Sequence, residues 1–426
     1  MSTYKYTLSI VFLLVFTTFH QAIAQDRLLS LEEAKSLALS NNKKIKKADK
    51  TIEAAKAAKS SVYASEKPFV EASGMGVHVG DPLNTLLPEF FANASLGVTQ
   101  VIYAGGKINT AKQMSSTAVD LYTSQKELTD SEVLLNVETT YWQIINVKSK
   151  VELANKYKAL LTELLKDLTN SYNAGIIYKN DVLRVQVQLN QAELDLTKAK
   201  DGLKLLKLKM AQLTGMPNID FLVKDTISND VILLDEVSQS TAIDNRPEIK
   251  MLKKAVEIEE LQSKILEADR KPTIGLNVSG IYANGKQINF TDGSNDLTSY
   301  YGLLNVNIPI FDWGSRKKKV KEQEFKVEAQ KLELEETEEL LSLQIQNAYL
   351  ELQQAIQKVE ITEKSLQQAD ENLRLNQDRF DVGTVTGKDV LEAQVLWQQA
   401  YSDVIDAKAN YRISEANYKK AIGDFK

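Results

Sequence analysis

The sequence predicts a mainly α-helical protein that also crosses a membrane with β-strands, built from a duplicated helix–β-hairpin–long helix–helix unit. Three features predict it: two heptad-patterned stretches each worth roughly 100 Å of helix, four short alternating segments, and one order of elements that occurs twice.

The chain begins with Lys5, an apolar run from Leu8 to Phe16, and Ala22-Ile23-Ala24 before Gln25. That is the pattern of a signal peptide over residues 1–24, the alternative being an N-terminal membrane anchor for which the run is short. The segment holds no acid and one base, so the remaining residues carry 51 of the 52 Lys and Arg against 57 acids, a net charge of −6. Such a balance argues against nucleic-acid binding. There is no cysteine, hence no disulfide framework and no thiol chemistry. Of two histidines only His78 lies outside the signal, which leaves histidine catalysis, a multi-histidine metal centre and a cofactor site without candidates. No later run is apolar enough for a transmembrane helix, so a membrane crossing has to use strands.

The first repeat is expected over residues 25–217. Leu31 to Glu66 is rich in Ala, Lys and Glu and reads as one helix, which Lys67-Pro68 stops. Strands are expected at about 69–80 and 92–103; in the second, Ala94, Leu96, Val98 and Ile102 share a face that Gln100 interrupts. A long helix follows over 106–172, then a turn at 173–180 and a helix over 181–214. Gly215-Met216-Pro217 ends it, and 218–240 reads as an irregular equatorial connector.

The second repeat, 241–426, restates this plan. Its helix runs from Thr241 to Arg270, with strands at about 273–283 and 300–311, a long helix over 314–380, a turn at 381–388 and a helix over 389–422. Pro309 fits the second strand only near its end. A shift of 204 superposes Lys67-Pro68 on Lys271-Pro272. Beyond the strands a shift of 208 superposes Gly106 on Gly314, Tyr141 on Tyr349 and Gly175 on Gly383. A duplication accounts for that register.

Leu341, Ile345, Ala348, Leu352, Ala355, Val359, Leu366, Ala369 and Leu373 recur in steps of four and three, and Val133, Val137, Thr140, Ile144, Val147, Val151, Ala154, Lys158, Leu161 and Leu165 form the equivalent line. A strict heptad means left-handed supercoiling; taken alone it is a generic coiled coil. At each turn a glycine, Gly175 or Gly383, precedes an acidic helix start, Asp181-Val182-Leu183 or Asp389-Val390-Leu391. Glycine relieves a left-handed C-cap, and aspartate favours the positive end of the next helix.

Strands of about ten residues have the length of tilted outer-membrane strands. Aromatic residues collect at their ends: Phe69, Tyr103, Phe311 and Trp313 on the helix side, Phe90, Phe91, Tyr282, Tyr300 and Tyr301 on the loop side. Two girdles suit membrane interfaces, while soluble hairpins with one half-buried face would show similar alternation. Four strands cannot close a barrel and open edges are not tolerated in lipid, so a membrane reading requires an oligomer.

The element order, the Pro68 and Pro272 breaks, the Ile310-Phe311-Asp312-Trp313-Gly314 strand exit and the two turns resemble the TolC-type outer-membrane efflux proteins (outer membrane factors), over essentially the whole chain after the signal. The resemblance implies a homotrimer in which four strands per protomer make a twelve-stranded barrel in outer-membrane lipid of a Gram-negative cell, continued by a periplasmic α-helical coiled-coil barrel. It implies tip turns that engage a periplasmic adaptor (membrane fusion) protein, itself linked to an inner-membrane pump of RND or ABC type. Cargo then moves passively, in efflux or type I secretion. Residue by residue, Asp389 and Glu392 match the acidic pair lining the family's periplasmic constriction; capping Asp and solvated Glu is the other reading of the pair. Arg184 stands where the first repeat would hold its second acid. Phe380 and Val385 occupy the places of a tyrosine and an arginine that lock the closed tip.

Two other classes fit less well. Gly383-Thr384-Val385-Thr386-Gly387-Lys388 has three residues between its glycines, not four, and Asp389 follows where a phosphate loop needs a hydroxyl, so no enzyme is expected. A soluble periplasmic coiled-coil scaffold would explain the helices and leave the strands and girdles without a purpose.

Overall fold

The computed structural model describes residues 27–217, 221–226, 234 and 236–425; the expected signal peptide at 1–24 lies outside them. Strand β1 (Arg27–Leu29) leads into helices α1 (Leu31–Asn41) and α2 (Lys43–Ala64), strands β2 (Phe69–His78) and β3 (Phe90–Ala104), and helices α3 (Lys107–Asn173) and α4 (Lys179–Thr214). After β4 (Phe221–Val223) the order recurs with α5 (Gln239–Asn245), α6 (Pro247–Ala268), β5 (Thr273–Gly285), β6 (Asp296–Asn307), α7 (Ser315–Asp381) and α8 (Gly387–Ala421). Both long helices have 67 residues, about 100 Å at 1.5 Å per residue, and their starts and ends obey the same 208-residue shift.

Each opening helix, expected to be single, is two. Asn42 leaves helical geometry at ψ 132° and its Oδ1 accepts the Lys44 N–H at 2.8 Å, starting α2 as an N-cap. Its Nδ2 donates 2.8 Å to the Leu213 carbonyl, closing the end of α4. At the equivalent point of the second repeat Arg246 breaks the chain at ψ 130°, ahead of Pro247. Its Nη1 donates to the carbonyls of Lys420 and Ala421 at 3.1 and 3.0 Å, closing the end of α8. One position therefore joins the start of each repeat to its end, with an amide in one copy and a guanidinium in the other.

The equator is built on these joints. β1 and β4 pair in parallel, Arg27 with Phe221 and Leu29 with Val223, so part of the expected irregular connector is a strand and its end is a short helix. Three-residue strands are too short to show an alternation. Leu29, Phe221, Val223, Tyr141, Ile145 and Met210 form the core there. The Tyr141 hydroxyl donates to Asp225 Oδ2 at 2.6 Å and lies 3.1 Å from the Leu29 carbonyl.

The heptad line of α7 is buried as expected, with Leu366 half-buried. In α3 the expected line is buried from Val133 to Ile144 and again at Leu161; its other members past Ile144 are half-buried, and Ile145, Leu153, Tyr157, Leu164 and Leu168 are buried instead. The shift has a packing cause. Below the equator α3 packs against both α4 and α8, so its apolar stripe turns toward two partners, whereas α7 meets α8 alone.

The four long strands form one antiparallel sheet in the order β2-β3-β5-β6. Two strand expectations change. β6 runs four residues earlier than expected and stops at Asn307, because Pro309 has no N–H to give the ladder; Ile308, Ile310 and Phe311 lie past it. In β3 the register shifts between Val101 and Tyr103, so Ile102 is the extra residue of a bulge and Tyr103 takes the place opposite Ile274.

Candidate functional site

At the far ends of the long helices stand the two tip turns. Gly175 (φ 74°) and Gly383 (φ 74°) take the left-handed conformation. Each helix closes by a wide backbone bond, Ile176 N–H to Ser171 O at 3.0 Å and Thr384 N–H to Arg379 O at 2.9 Å. The next helices start differently. Tyr178 precedes α4 with no side-chain cap, and Asp181 sits in its first turn. Thr386 precedes α8 and shares a capping box with Asp389, whose Oδ2 accepts the Thr386 N–H at 2.8 Å and its hydroxyl at 2.7 Å. The Thr386 hydroxyl and N–H together hold the Asp389 carboxyl below the ordinary aspartate range, so it is ionised at neutral pH. Glu392, one helical turn on, is exposed and meets Lys388 at 3.4 Å.

The tip residues expected to form a docking surface do not all reach solvent. Val390 is buried with Leu161, Leu164, Leu168 and Val185, and Val182, Leu391 and Phe380 pack partly buried against that cluster. Gly387 explains the close approach of α8 to α3: a Cβ there would lie 2.5 Å from Leu168 Cδ2. Among the expected apolar residues only Leu183 is exposed. The exposed apolar residues of the turns are Ile176, Tyr178 and Val382, at 75%, 82% and 72% exposure. Their signal in the sequence was an apolar side chain beside each turn glycine, where hairpin tips are ordinarily polar.

At the other end the sheet has two chemically distinct faces. Register places Val70, Ala72, Leu96, Val98, Leu276, Val278, Leu304 and Val306 on one face. Ser73, Asn93, Ser95, Thr99, Asn277, Ser279 and Asn305 lie on the other, together with Val77, Ile281 and Leu303. Polar side chains on the second face bond to one another: Ser73 Oγ to Ser95 Oγ at 2.8 Å, and Asn277 Nδ2 to Thr99 Oγ1 at 2.8 Å. Of the expected girdle, Phe90, Tyr103, Tyr282 and Tyr300 stand on the apolar face, while Phe69, Phe91 and Tyr301 fall on the polar one by their register. Phe311 and Trp313 flank the turn into α7, their rings 5.0 Å apart and edge to face. Asp312 between them accepts the Gly314 and Arg316 N–H groups and starts that helix.

A single protomer leaves both layers open at both ends. β2 and β6 are the sheet's edges. Contacts order the helices α2-α3-α6-α7 above the equator and α4-α3-α8-α7 below it, so α7 is one margin and α2 and α4 are the other. Exposed apolar residues mark these margins: Val187, Leu194 and Leu205 on α4, and Phe325, Leu332, Leu343, Leu350 and Ile361 on α7. Among the described residues no helix is long and apolar enough to cross a membrane, and no group of His, Cys, Asp and Glu could hold a metal ion.

The family model described as "Outer membrane efflux protein" matches residues 34–216 and 239–424, one segment in each repeat. The chain is 21% identical to outer membrane protein TolC of Escherichia coli (strain K12) over 349 residues, 78% of this chain and 69% of that protein. In structure it is similar to a membrane protein from Pseudomonas aeruginosa, with TM-score 0.82, 16% identity, and 92% and 93% of the two chains covered. It is likewise similar to the Campylobacter jejuni CmeC outer membrane channel, with TM-score 0.80, 19% identity, and 93% and 86% covered.

Proposed function

This chain belongs to the outer membrane efflux protein family, and from that premise we propose that it is the exit duct of a tripartite efflux or type I secretion assembly. As a family member it is an outer-membrane efflux channel of a Gram-negative cell, not an enzyme, with the trimeric fold of a twelve-stranded barrel continued by a periplasmic helical barrel. The finer reading is that cargo passes down its gradient through this duct, and that the energy enters at an inner-membrane pump of RND or ABC type joined through a periplasmic adaptor.

One observation carries the reading: a wall with one apolar and one polar strand face runs directly into helices of roughly 100 Å, and its margins are open and apolar in both layers. Three such walls enclose a duct whose lining is polar and whose outside suits lipid. The turns at Gly175 and Gly383 then form the periplasmic mouth, and Ile176, Tyr178, Leu183 and Val382 offer the adaptor an apolar rim. Ile176→Asp combined with Val382→Asp is expected to abolish dye efflux from cells carrying the cognate pump, with the amount of trimer in the outer membrane unchanged. Undiminished efflux would remove the tips from the docking surface.

Asp389 and Glu392 lie on one face of α8, and three copies form carboxylate rings at the mouth, a source of cation preference. Capping and gating are compatible here, since the capping box uses Asp389 Oδ2 and keeps the group charged. Asp389→Asn with Glu392→Gln is expected to weaken both cation preference and block by multivalent cations applied on the periplasmic side. Unchanged selectivity would leave Asp389 as a cap and Glu392 as a solvated acid. With Phe380 packed into the tip cluster and Val385 half-buried, closure in this protein rests on apolar contacts such as Leu168 against Gly387.

A further inference from the structure

The four long strands contain two acidic residues and no Lys or Arg. Asp296 is the first residue of β6, at the loop end, where the Tyr282 hydroxyl and the Asn284 amide donate to it, each at 2.7 Å. Glu71 is different: it is the third residue of β2, inside the span. Register pairs it with Gly97, and through Gly97 with Ser279 and Tyr301. That row belongs to the face of Ser73, Ser95, Thr99 and Asn277, opposite to Val70, Ala72 and Leu96. Its cross-strand neighbour has no side chain to cover it, the residue is exposed, and no Lys or Arg among the described residues forms an ion pair with it.

A carboxylate on the lipid face of a membrane strand is costly, whereas one on the lumen face tunes selectivity. We propose that Glu71 lines the lumen of the β-barrel and, in three copies, forms a second cation-selective ring, distinct from the acids at the periplasmic tip. The proposal rests on the channel reading above. Phe69 marks the helix-side end of β2, so Glu71 lies about 7 Å along the strand from it, where the β-barrel meets the helical barrel. No other Asp, Glu, Lys or Arg stands on this face of the four strands. The ring's ligand is a cationic group, an inorganic cation or an organic ammonium, in transit to the exterior.

Because the chain has no cysteine, one introduced at position 71 is the sole thiol. Planar-bilayer recording of trimers at low salt tests the ring. Glu71→Gln is expected to lower the cation-to-anion permeability ratio about twofold, the screened effect of three charges some 10 Å from the pore axis. It should relieve multivalent-cation block from the extracellular side while leaving periplasmic block intact. Glu71→Cys should react with a membrane-impermeant cationic thiol reagent and change conductance when it does. An unaltered ratio with an unreactive Glu71→Cys would overturn the proposal, and Glu71 would then face lipid or a neighbouring protomer. If Asp389→Asn/Glu392→Gln shifts selectivity and Glu71→Gln does not, the tip alone selects and the second ring is wrong. A wild-type trimer that carries no current would instead overturn the channel reading itself.

Discussion

Replacing Arg246 with alanine is expected to destabilise the second repeat by about 3–5 kcal/mol, the usual cost of removing one partner from a buried ion pair. Arg246 is 2% exposed. Its Nε and Nη2 donate to both oxygens of Glu248 at 3.0 and 2.6 Å, its Nη2 also reaches Gln344 Oε1 at 3.2 Å, and its Nη1 closes α8. Alanine leaves the Glu248 carboxylate without its partner and two terminal carbonyls without donors. Denaturant unfolding of the trimer measures the loss, and a change below about 1 kcal/mol, the scale of a surface pair, would contradict this account of the joint. Asn42→Ala in the first repeat should cost less, about 1–2 kcal/mol, since it removes a neutral cap. The Arg246 contribution also depends on pH. Burial works to raise the Glu248 carboxyl, but the hydrogen bonds and charge of Arg246 outweigh it and hold it below the ordinary glutamate range. A depressed folded value means the stabilisation is complete above the unfolded value near pH 4.3 and is lost as pH falls through the folded one. Arg246→Ala should therefore flatten the acid limb of the stability profile.

The second large effect separates the two faces of the sheet. Leu96→Arg is expected to cost about 2–4 kcal/mol of barrel stability in a bilayer, the penalty for a cation on the lipid face near the midplane. Ser95→Arg, one residue away, should be tolerated, because its side chain stands beside Ser73 on the polar face, which the channel reading turns to the lumen. It should also reduce cation preference. Heat-stability of the assembled trimer in lipid reads both variants. Equal sensitivity at positions 95 and 96 would mean that the faces are misassigned or that the sheet lies outside the membrane.

Much of this architecture is legible in the sequence because its signals are local and repeated. The Lys-Pro breaks, the two turn glycines and the 208-residue shift need no tertiary knowledge. The helix breaks were less visible. Pro247 flags one, but the break at Asn42 is decided by a bond to Leu213, 171 residues away. The bulge at Ile102 is a matter of pairing, and it moves Tyr103 onto the apolar face where strict alternation would have placed Ile102. At the candidate site the sequence located the turns and Leu183 but also named Val390, which is enclosed, and missed Ile176, Tyr178 and Val382. Val390 follows the acidic start as an accessible residue would, yet Gly387 lets α8 approach α3 so closely that Val390 is enclosed by Leu161, Leu164 and Leu168. Periodicity cannot report which of two neighbouring helices a stripe faces. For Phe69, Phe91 and Tyr301 the end of the strand was legible in the sequence but not the face: position along the strand sets the height of an aromatic residue, while register sets its face.

On the channel reading, three copies of this chain enclose one continuous duct across the outer membrane. Purified trimer placed in a planar lipid bilayer, with no pump and no nucleotide present, tests it most directly. Discrete, cation-preferring conductance steps that multivalent cations block from the periplasmic side are expected. A trimer that inserts into the bilayer and passes no current under any applied voltage or salt, even with the contact of Leu168 on Gly387 removed by Leu168→Ala, would contradict that reading.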